Sequence, residues 1–409
     1  MKKKIDRYSA VAVCFICFIF TILAGTVAKV YVSRNEYINE YSVKLGENTG
    51  YAAKTKAMAL TVYDTLKNID GKIYKRTEFI NIYGLAQKPT GNRYVYDSSG
   101  ASGNVVKLDN GMLSFVLPKS NDLAKKAEKT ALLDAHLKSK CIDLLYVQLP
   151  FKINKRDNKL PTGVVDYSNK NSDAMLTELR SRGVSTFDLR EEIVGAGLDH
   201  YSLFFRTDHH WKPETGLWAA GKIAEILNSE YGFKIDITLL NKNNFSTKAY
   251  KNWFLGSQGK RVGQLYAGTD DFTLLLPKYK TDMSGIYTRI SGEDITKKGS
   301  FQDAWLFMDS LKRIDYFNLN TYVTYSGGDY PLTVCTNNLL AGKKILLLRD
   351  SYTCALAPFI SLAACKELRT IDPRHFKGSI AGYIDDFKPD IVLMLYYPTA
   401  LSNSMFFDF

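Results

Sequence analysis

The stretch Lys344-Ile345-Leu346-Leu347-Leu348-Arg349-Asp350-Ser351 passes from an apolar run to a serine, and a further apolar segment extends from Ser351 to Ala364. The run has the length and composition of a buried strand, and the segment after it has those of a helix. A strand that leads into a helix is the building unit of parallel α/β sheets. We therefore predict that Ser351 lies beyond the carboxyl end of a strand, where such sheets bind their ligands.

The same alternation surrounds this stretch. Buried-strand runs cover residues 142–149, 184–189, 368–371 and 390–396, and helical spacing covers residues 122–138, 171–182, 216–227 and 380–387. The pattern predicts an α/β fold with a mainly parallel sheet flanked by helices. Between about residues 241 and 338 the chain becomes rich in Gly, Lys, Tyr, Thr and Asp, which indicates a β-rich insertion with short strands such as 272–276 and 321–325. Before the first helix of this pattern, we expect a loop over residues 91–104 and a hairpin of residues 105–108 and 113–116.

The N-terminal part predicts a membrane anchor. After a basic leader over residues 1–7, the chain carries no charge from residue 8 to residue 28. Because about 20 apolar residues suffice to cross the hydrocarbon, we expect a transmembrane helix over residues 8–32, with the leader inside the cell and the rest outside. The small residues 24–28 leave a cleaved signal peptide as the alternative. A polar stalk over residues 33–75 and the α/β domain over residues 76–409 follow.

The charge of the chain narrows the choice of partners. It has 54 Lys and Arg residues against 42 Asp and Glu residues, a formal net charge of +12. Such an excess outside a membrane suits an anionic polymer or lipid headgroups, and a basic surface without a specific ligand explains it equally well. Nucleic acid is the rival partner, but the sequence has no RNP, zinc-finger or basic-helix pattern.

The cysteines indicate no disulfide framework. Outside the apolar N-terminal run there are four, Cys141, Cys335, Cys354 and Cys365, and none has zinc-binding spacing. Four thiols spread over so long a region are expected to be buried and free, although the sequence does not exclude a single disulfide bridge.

A second polar stretch, Thr207-Asp208-His209-His210-Trp211, supplies residue types that can activate Ser351. A serine hydroxyl becomes a nucleophile when a base takes its proton, and that base is usually a histidine oriented by a carboxylate. In an extended segment the side chains of Asp208 and His210 leave the same face and can pair, whereas His209 points the other way, toward packing or solvent. The N–H groups after Ser351 would then face an oxyanion.

Three other interpretations of these residues remain open. Asp208 could cap a helix that begins near Pro213, and Asp350 with Ser351 could simply cap the following helix. A metal ion bound by Asp208 and its two neighbouring histidines is the third, although adjacent histidines rarely bind one ion and no further His/Cys cluster is near in sequence.

The stretch Thr207–Trp211 resembles the signature of the DHHW family, SGNH hydrolase-like proteins related to the alginate O-acetyltransferase subunits of the J and X type. Other motifs agree with that family in order, namely Leu149-Pro150-Phe151-Lys152, Gly256-Ser257-Gln258-Gly259-Lys260-Arg261, Gly327-Gly328-Asp329-Tyr330-Pro331, Arg349-Asp350-Ser351-Tyr352 and Ile371-Asp372-Pro373-Arg374. The resemblance covers roughly residues 70 to 400 and implies an SGNH-hydrolase-like fold.

The resemblance implies a catalytic triad of Ser351, His210 and Asp208. The Asp-x-His pair precedes the serine, as in the DHHW branch, whereas ordinary SGNH hydrolases carry it after the serine. Arg349 stands where those enzymes have glycine, and no oxyanion asparagine is identifiable. The backbone N–H of Ser351 is therefore the candidate for the oxyanion hole.

The same resemblance gives Arg374, Tyr352 and Lys152 as candidate substrate-binding residues. Arg374 could instead be a buried ion-pair partner of Asp372 or Asp350, and Lys152 could be a solvated strand end.

The function that the resemblance implies is O-acetyl transfer outside the cytoplasm. A membrane-bound O-acyltransferase would supply the acetyl group, Ser351 would carry it, and a hydroxyl of an exported or cell-wall polysaccharide would receive it. No cofactor or metal is required for this chemistry. A carbohydrate acetylesterase with the same triad and a noncatalytic polysaccharide-binding subunit are the alternatives.

Overall fold

The computed structural model describes residues 7–46, 50–67, 69–96 and 104–409. Most of the predicted leader, residues 1–6, and the part of the predicted loop over residues 97–103 lie outside the described residues. The chain divides into two compact units, Met1–Tyr83 and Gly84–Phe409.

The N-terminal unit is helical. Helix α1 (Arg7–Val32) is long and apolar enough to span a membrane, and none of its residues is buried; a signal sequence would pass the same test. Helices α2 (Arg34–Leu45) and α3 (Tyr51–Lys67) follow in the region of the predicted stalk. An ion pair of 2.6 Å between Lys44 and Asp64 joins α2 to α3.

The helices and strands of the rest of the chain alternate as the sequence predicts. The helices are α4 (Arg76–Gln87), α5 (Leu123–Lys138), α6 (Ser168–Ser181), α7 (Leu189–Gly195), α8 (Pro213–Glu230), α9 (Ser257–Val262), α10 (Gln264–Ala267), α11 (Phe301–Trp305), α12 (Ala357–Ala363) and α13 (Ile380–Phe387). The strands are β1 (Tyr94–Val95), β2 (Val105–Lys107), β3 (Leu113–Ser114), β4 (Asp143–Gln148), β5 (Thr186–Asp188), β6 (Phe245–Phe254), β7 (Asp270–Pro277), β8 (Met283–Thr288), β9 (Asp294–Gly299), β10 (Leu332–Asn337), β11 (Lys344–Arg349), β12 (Glu367–Ile371) and β13 (Ile391–Tyr396).

An eight-stranded sheet with the order β5-β4-β13-β11-β12-β10-β8-β9 forms the centre of the larger unit. The strands from β5 to β12 pair in parallel, and β10, β8 and β9 extend the sheet in antiparallel register. The predicted α/β fold with a mainly parallel sheet is confirmed. Because Arg349 of β11 lies opposite Leu395 of β13, the residues after these two strands meet at one edge.

The apolar runs of the central strands are buried on both faces. In β11, Ile345 and Leu347 belong to one core and Leu346 and Leu348 to the other. Helix α8 packs into the first core, and α5, α6 and α13 pack into the second. A fully buried leucine contributes roughly 1.5–3 kcal/mol, so continuous runs of this kind hold a three-layer fold together.

The segment between residues 241 and 338 contains both a separate hairpin and part of the sheet. Strands β6 and β7 pair only with each other, whereas β8, β9 and β10 join the sheet edge. The strand predicted at residues 321–325 is wrong, because Thr321–Thr324 form a 3-10 turn in which the Asn320 side chain accepts a hydrogen bond from the Tyr322 N–H. The hairpin predicted before residue 117 is confirmed by the antiparallel pairing of β2 and β3.

The predicted free thiols are confirmed, since all six cysteines are free. Cys335, Cys354 and Cys365 are buried as expected. Cys141 differs, because it lies exposed at positive φ in the turn between α5 and β4.

Candidate active site

Ser351 lies directly beyond the carboxyl end of β11. It begins a 3-10 turn, Ser351–Ala355, that precedes α12, so the single helix predicted over residues 351–364 is interrupted near Leu356. Asp350 caps this turn through a 2.9 Å hydrogen bond from Tyr352 N–H and also accepts the Tyr397 N–H at 2.7 Å. Burial raises the pKa of Asp350 to about 8. The capping role considered for Asp350 is therefore observed, and it fixes the backbone on either side of Ser351.

The Asp-His-His stretch forms the tip of a tight loop. An isolated antiparallel bridge joins Phe204 to Trp211, and Asp208 Oδ1 accepts the His210 N–H at 2.9 Å. This contact is an Asx turn, in which the side chain bends its own backbone. The extended geometry assumed for the stretch is therefore wrong. Both histidines line the same cavity, and the expectation that His209 points away from His210 is corrected.

The structure brings Ser351, His210 and Asp208 together. His210 Nδ1 lies 2.5 Å from Asp208 Oδ1, and His210 Nε2 lies 2.8 Å from the Ser351 hydroxyl, which is 141 residues away in the sequence. Since a carboxylate only accepts, Nδ1 donates to Asp208, and Nε2 accepts a hydrogen bond from the Ser351 hydroxyl. Helix α8 is preceded by Lys212 as its N-cap residue, so Asp208 does not cap it.

Neighbouring segments hold the loop that carries Asp208. The Thr207 N–H and hydroxyl donate to Asp270 of β7 at 2.8 and 2.6 Å. The Ser257 N–H donates to Asp208 Oδ2 at 2.6 Å. The backbones approach so closely that a Cβ on Gly256 would lie 2.2 Å from that of Asp208. Glycine is therefore required at position 256, and the hairpin of β6 and β7 with α9 positions the carboxylate.

The electrostatics favour an ionised Asp208 beside a neutral His209. Burial alone would raise the pKa of Asp208, but His210 and His209 hold it well below its usual value. Burial, together with the adjacent His210, lowers the pKa of His209 to about 3. His209 is therefore uncharged at neutral pH.

Aromatic side chains fix the His210 ring. Tyr322 stacks on it with ring centroids 3.9 Å apart. The Tyr322 hydroxyl and the Trp211 indole N–H both donate to the Tyr352 carbonyl at 2.9 Å. These contacts tie the loop of His210 to the turn of Ser351, so the two halves of the site are joined beyond the His–Ser contact itself.

The Ser351 hydroxyl opens onto a cavity of about 630 Å³. Apolar and polar side chains line it, among them Phe115, His209, Tyr322, Asp329, Arg374, Tyr397, Asn403 and Phe406. A volume of this size accommodates a small organic ligand or part of a polymer.

Arg374 lies in the wall of this cavity within an ion-pair cluster. It contacts Asp372 at 2.5 Å and Asp329 at 2.9 Å, and Arg349 contacts Asp329 at 2.7 Å. Burial would raise the pKa of Asp329, but the two guanidinium groups lower it to about 2. The ion pair of Arg374 with Asp372, considered as an alternative to substrate binding, is present, and the residue also lines the cavity.

Lys152 and Tyr352 are fully buried, which differs from the predicted contacts with substrate. The Lys152 ammonium donates to the carbonyl oxygens of Leu113 at 2.6 Å and of Asp208. Burial lowers the pKa of Lys152 to about 7. The Tyr352 hydroxyl donates to the His209 carbonyl. Both side chains contact the backbone around the site, and Lys152 is not a solvated strand end.

A metal ion would find donor atoms in the same loop. Ligand atoms of Asp208, His209 and His210 lie within 4.8 Å of one another. However, His210 uses both ring nitrogens in hydrogen bonds, and His209 Nδ1 is 2.9 Å from the Ser257 hydroxyl. Three of the four ring nitrogens of these histidines are therefore used in hydrogen bonds within the protein.

Several residues of the site could not be predicted from the sequence. Tyr322 and Tyr397 belong to no motif, and only the apolar strand before Tyr397 indicated its position. Ser257 and Asp329 lie in motifs of the resemblance, but no role could be assigned to them, because their contacts join segments far apart in the chain.

The α/β fold of this chain is similar to that of SGNH hydrolase-like proteins. Residues 114–252 match the family model described as the SGNH hydrolase-like domain of the acetyltransferase AlgX, and this segment contains Asp208 and His210 but not Ser351. The resemblance to SGNH hydrolase-like proteins is thereby confirmed. No curated protein sequence matches the chain.

Solved structures share the fold. PatB1 from Bacillus cereus is 21% identical with a TM-score of 0.61, covering 74% of this chain and 98% of its own. PatB1 from Bacillus cereus carrying a sulfonyl adduct is 19% identical with a TM-score of 0.61, and the match covers 74% of this chain and 97% of PatB1. A DHHW family protein from Eubacterium siraeum is 18% identical with a TM-score of 0.54, covering 77% and 98%. At these identities the similarity establishes the fold.

Proposed function

We propose that the chain is an extracytoplasmic O-acetyltransferase that moves an acetyl group through Ser351 to a hydroxyl of an exported or cell-wall polysaccharide. The observation that carries this proposal is the hydrogen-bonded series Ser351–His210–Asp208 at an open cavity. The match of residues 114–252 to the domain of an acetyltransferase supports acetyl transfer as the chemistry.

In the first half-reaction, Ser351 Oγ attacks the carbonyl carbon of an acetyl donor, and His210 Nε2 takes the hydroxyl proton. Asp208 stabilises the imidazolium that forms. The tetrahedral intermediate collapses, the leaving group takes the proton from His210, and an acetyl ester remains on Ser351. We assign the oxyanion contact to the Ser351 N–H at the start of its 3-10 turn.

In the second half-reaction, a sugar hydroxyl attacks the ester carbonyl and gives its proton to His210. The bond from the acetyl carbon to Ser351 Oγ breaks, and Oγ takes the proton back. No redox change occurs, and the free enzyme is restored.

The surroundings of the domain suit an acetyl donor delivered at a membrane. Helix α1 is long and apolar enough to hold the chain in a membrane as a single-pass anchor, with the α/β domain outside the cytoplasm. Acetyl-CoA is not available outside the cytoplasm, so a membrane-bound O-acyltransferase is the proposed source of the acetyl group. Arg374 and its ion-pair partners would then contact the acceptor in the cavity.

The test uses the full chain in detergent with p-nitrophenyl acetate as donor and chitopentaose or cellopentaose as acceptor. We expect a burst of p-nitrophenol, a mass increase of one acetyl group on the peptide that contains Ser351, and acetylated sugar. Ser351→Ala should abolish the burst, and Asp208→Asn should slow it by about 10³–10⁴-fold, because the imidazole then adopts the wrong tautomer.

The outcome also separates the alternatives. A burst that yields only free acetate with both sugars would identify an esterase. A wild-type chain that forms no acetyl-serine would contradict the proposal, and polymer binding without it would favour a noncatalytic subunit.

A further inference from the structure

His209 lines the cavity, and one of its ring nitrogens has no hydrogen-bond partner among the described residues. Its side chain is 16% exposed, and its ring lies against that of His210 with centroids 3.8 Å apart. Nδ1 is hydrogen-bonded to Ser257, and no described residue hydrogen-bonds Nε2. His209 therefore lies beside the His210 imidazole and lines the same cavity as Ser351.

The contacts of Nδ1 determine which nitrogen carries the proton. Nδ1 lies 2.9 Å from the Ser257 hydroxyl oxygen and 3.6 Å from the Asp208 carboxylate. Ser257 gives its own proton to Gln258 Oε1 at 2.9 Å, so its oxygen accepts from His209, and the carboxylate can only accept. We therefore assign the proton to Nδ1, which leaves a lone pair on Nε2.

We propose that His209 is an acceptor-binding residue whose Nε2 accepts a hydrogen bond from a second hydroxyl of the attacking sugar. The inference rests on the proposed function and names its acceptor class, a carbohydrate with two neighbouring hydroxyl groups. One hydroxyl attacks the acetyl-serine and gives its proton to His210, while its neighbour donates to His209.

This arrangement favours a diol over an alcohol with a single hydroxyl group. One hydroxyl of the diol attacks the ester beside His210, while the second donates to His209. His209 does not compete with His210 as a base, because burial and the adjacent His210 lower its pKa to about 3. It contributes an acceptor atom in a fixed place.

The test compares small acceptors and needs no knowledge of the natural polymer. The full chain in detergent is acylated with p-nitrophenyl acetate in the presence of equal concentrations of ethylene glycol and ethanol, and the two acetate esters are measured by gas chromatography. We expect the wild type to favour the diol beyond the excess given by its second hydroxyl group. His209→Asn retains a donor near the position of Nδ1 but lacks Nε2, so the preference should fall about tenfold, the effect of one hydrogen bond.

The matched control is His136→Asn, which changes a half-exposed surface histidine paired with Asp385. It should leave the preference as in the wild type. An equal loss of both esters in His209→Asn would assign His209 a structural role and overturn the proposal, and so would an unchanged preference. Absence of acetyl-serine in the wild type would instead contradict the proposed function.

A second measurement does not depend on turnover. Because the chain has 5 histidines, ¹⁵N NMR of histidine-labelled protein can resolve His209 by comparison with His209→Asn. We expect protonated Nδ1 and unprotonated Nε2 at neutral pH. A protonated Nε2 would overturn the proposal even if the diol preference were present.

Discussion

The backbone N–H of Ser257 lies 2.6 Å from Oδ2 of Asp208, although the two residues are 49 positions apart in the sequence. The other carboxylate oxygen, Oδ1, accepts hydrogen bonds from His210 Nδ1 and from the backbone N–H of His210. Ser257 therefore occupies the one oxygen that His210 leaves free and prevents rotation of the carboxyl group. The orientation of His210 toward Ser351 depends on a donor from a distant helix.

Replacing Ser257 by proline removes this donor without breaking α9. Ser257 is the first residue of the helix, where proline is tolerated, and Gly256 is extended at φ −74 and ψ −179, as a residue before proline requires. We expect the rate of Ser351 acylation to fall about tenfold to hundredfold in Ser257→Pro, because misplacement of a catalytic group has effects of that size. Ser257→Ala keeps the N–H, so its acylation rate should fall less than that of Ser257→Pro. Equal falls in stopped-flow burst measurements would show that the backbone donor has no separate effect.

Two glycines of α8 form a matched pair for the packing of this helix. A Cβ on Gly216 would lie 1.9 Å from the Ala355 carbonyl oxygen, in the turn that begins with Ser351, whereas a Cβ on Gly221 meets nothing within 4 Å. Gly216→Ala should lower the free energy of unfolding by about 1–3 kcal/mol, as overpacking does, and also slow acylation. Gly221→Ala should raise it by about 0.5–1 kcal/mol, because alanine favours the helix. Urea unfolding tests both, and a Gly216→Ala variant as stable as the wild type would refute the close approach.

Lys152 stabilises the backbone beneath Asp208. Lys152→Met leaves the carbonyl oxygens of Leu113 and Asp208 without their buried donor. The free energy of unfolding should fall by about 1–3 kcal/mol, the cost of unsatisfied buried groups. Lys155→Met, which removes exposed ion pairs with Asp173 and Glu191, should change it by less than about 1 kcal/mol. Similar values for the two variants in urea unfolding would contradict a supporting role for Lys152.

The stability of the fold should depend on pH through His209. Its pKa is about 3 in the folded protein, against about 6.5 in an unfolded chain. Between these values the unfolded chain binds more protons at this residue, so the contribution of His209 to stability falls as the pH is lowered from about 6.5 to 3, by up to about 1.4 kcal/mol per pH unit. Asp208, whose folded pKa is lowered, adds to this loss below about pH 4. Urea midpoints of the wild type and His209→Asn from pH 4 to 7 should therefore show a shallower slope in the variant, and parallel slopes would exclude His209 as the group responsible.

The sheet could be predicted from the sequence because its central strands are buried on both faces. The run Leu346–Leu348 has no polar interruption, and Ser351 follows it at the predicted sheet edge. The direction of His209 could not be obtained this way. Alternation of side chains holds for extended segments, and the Asp208 carboxylate bends its own loop into a turn.

Contacts between distant segments were also beyond prediction from local pattern. Tyr322 stacks on His210 from a 3-10 turn that has the composition of a short strand. Lys152 was expected at a solvated or substrate-facing strand end, but carbonyl oxygens from two other segments surround its ammonium group. Such partners come from the tertiary fold, and one sequence does not reveal them.

The separation of 141 positions between His210 and Ser351 has a consequence for the nascent chain. Until β11 has taken its place between β12 and β13, the serine is an ordinary alcohol that no imidazole deprotonates. A chain that is still being threaded or folded is therefore chemically inert toward activated esters. The serine therefore gains its base in the same folding step that completes the sheet.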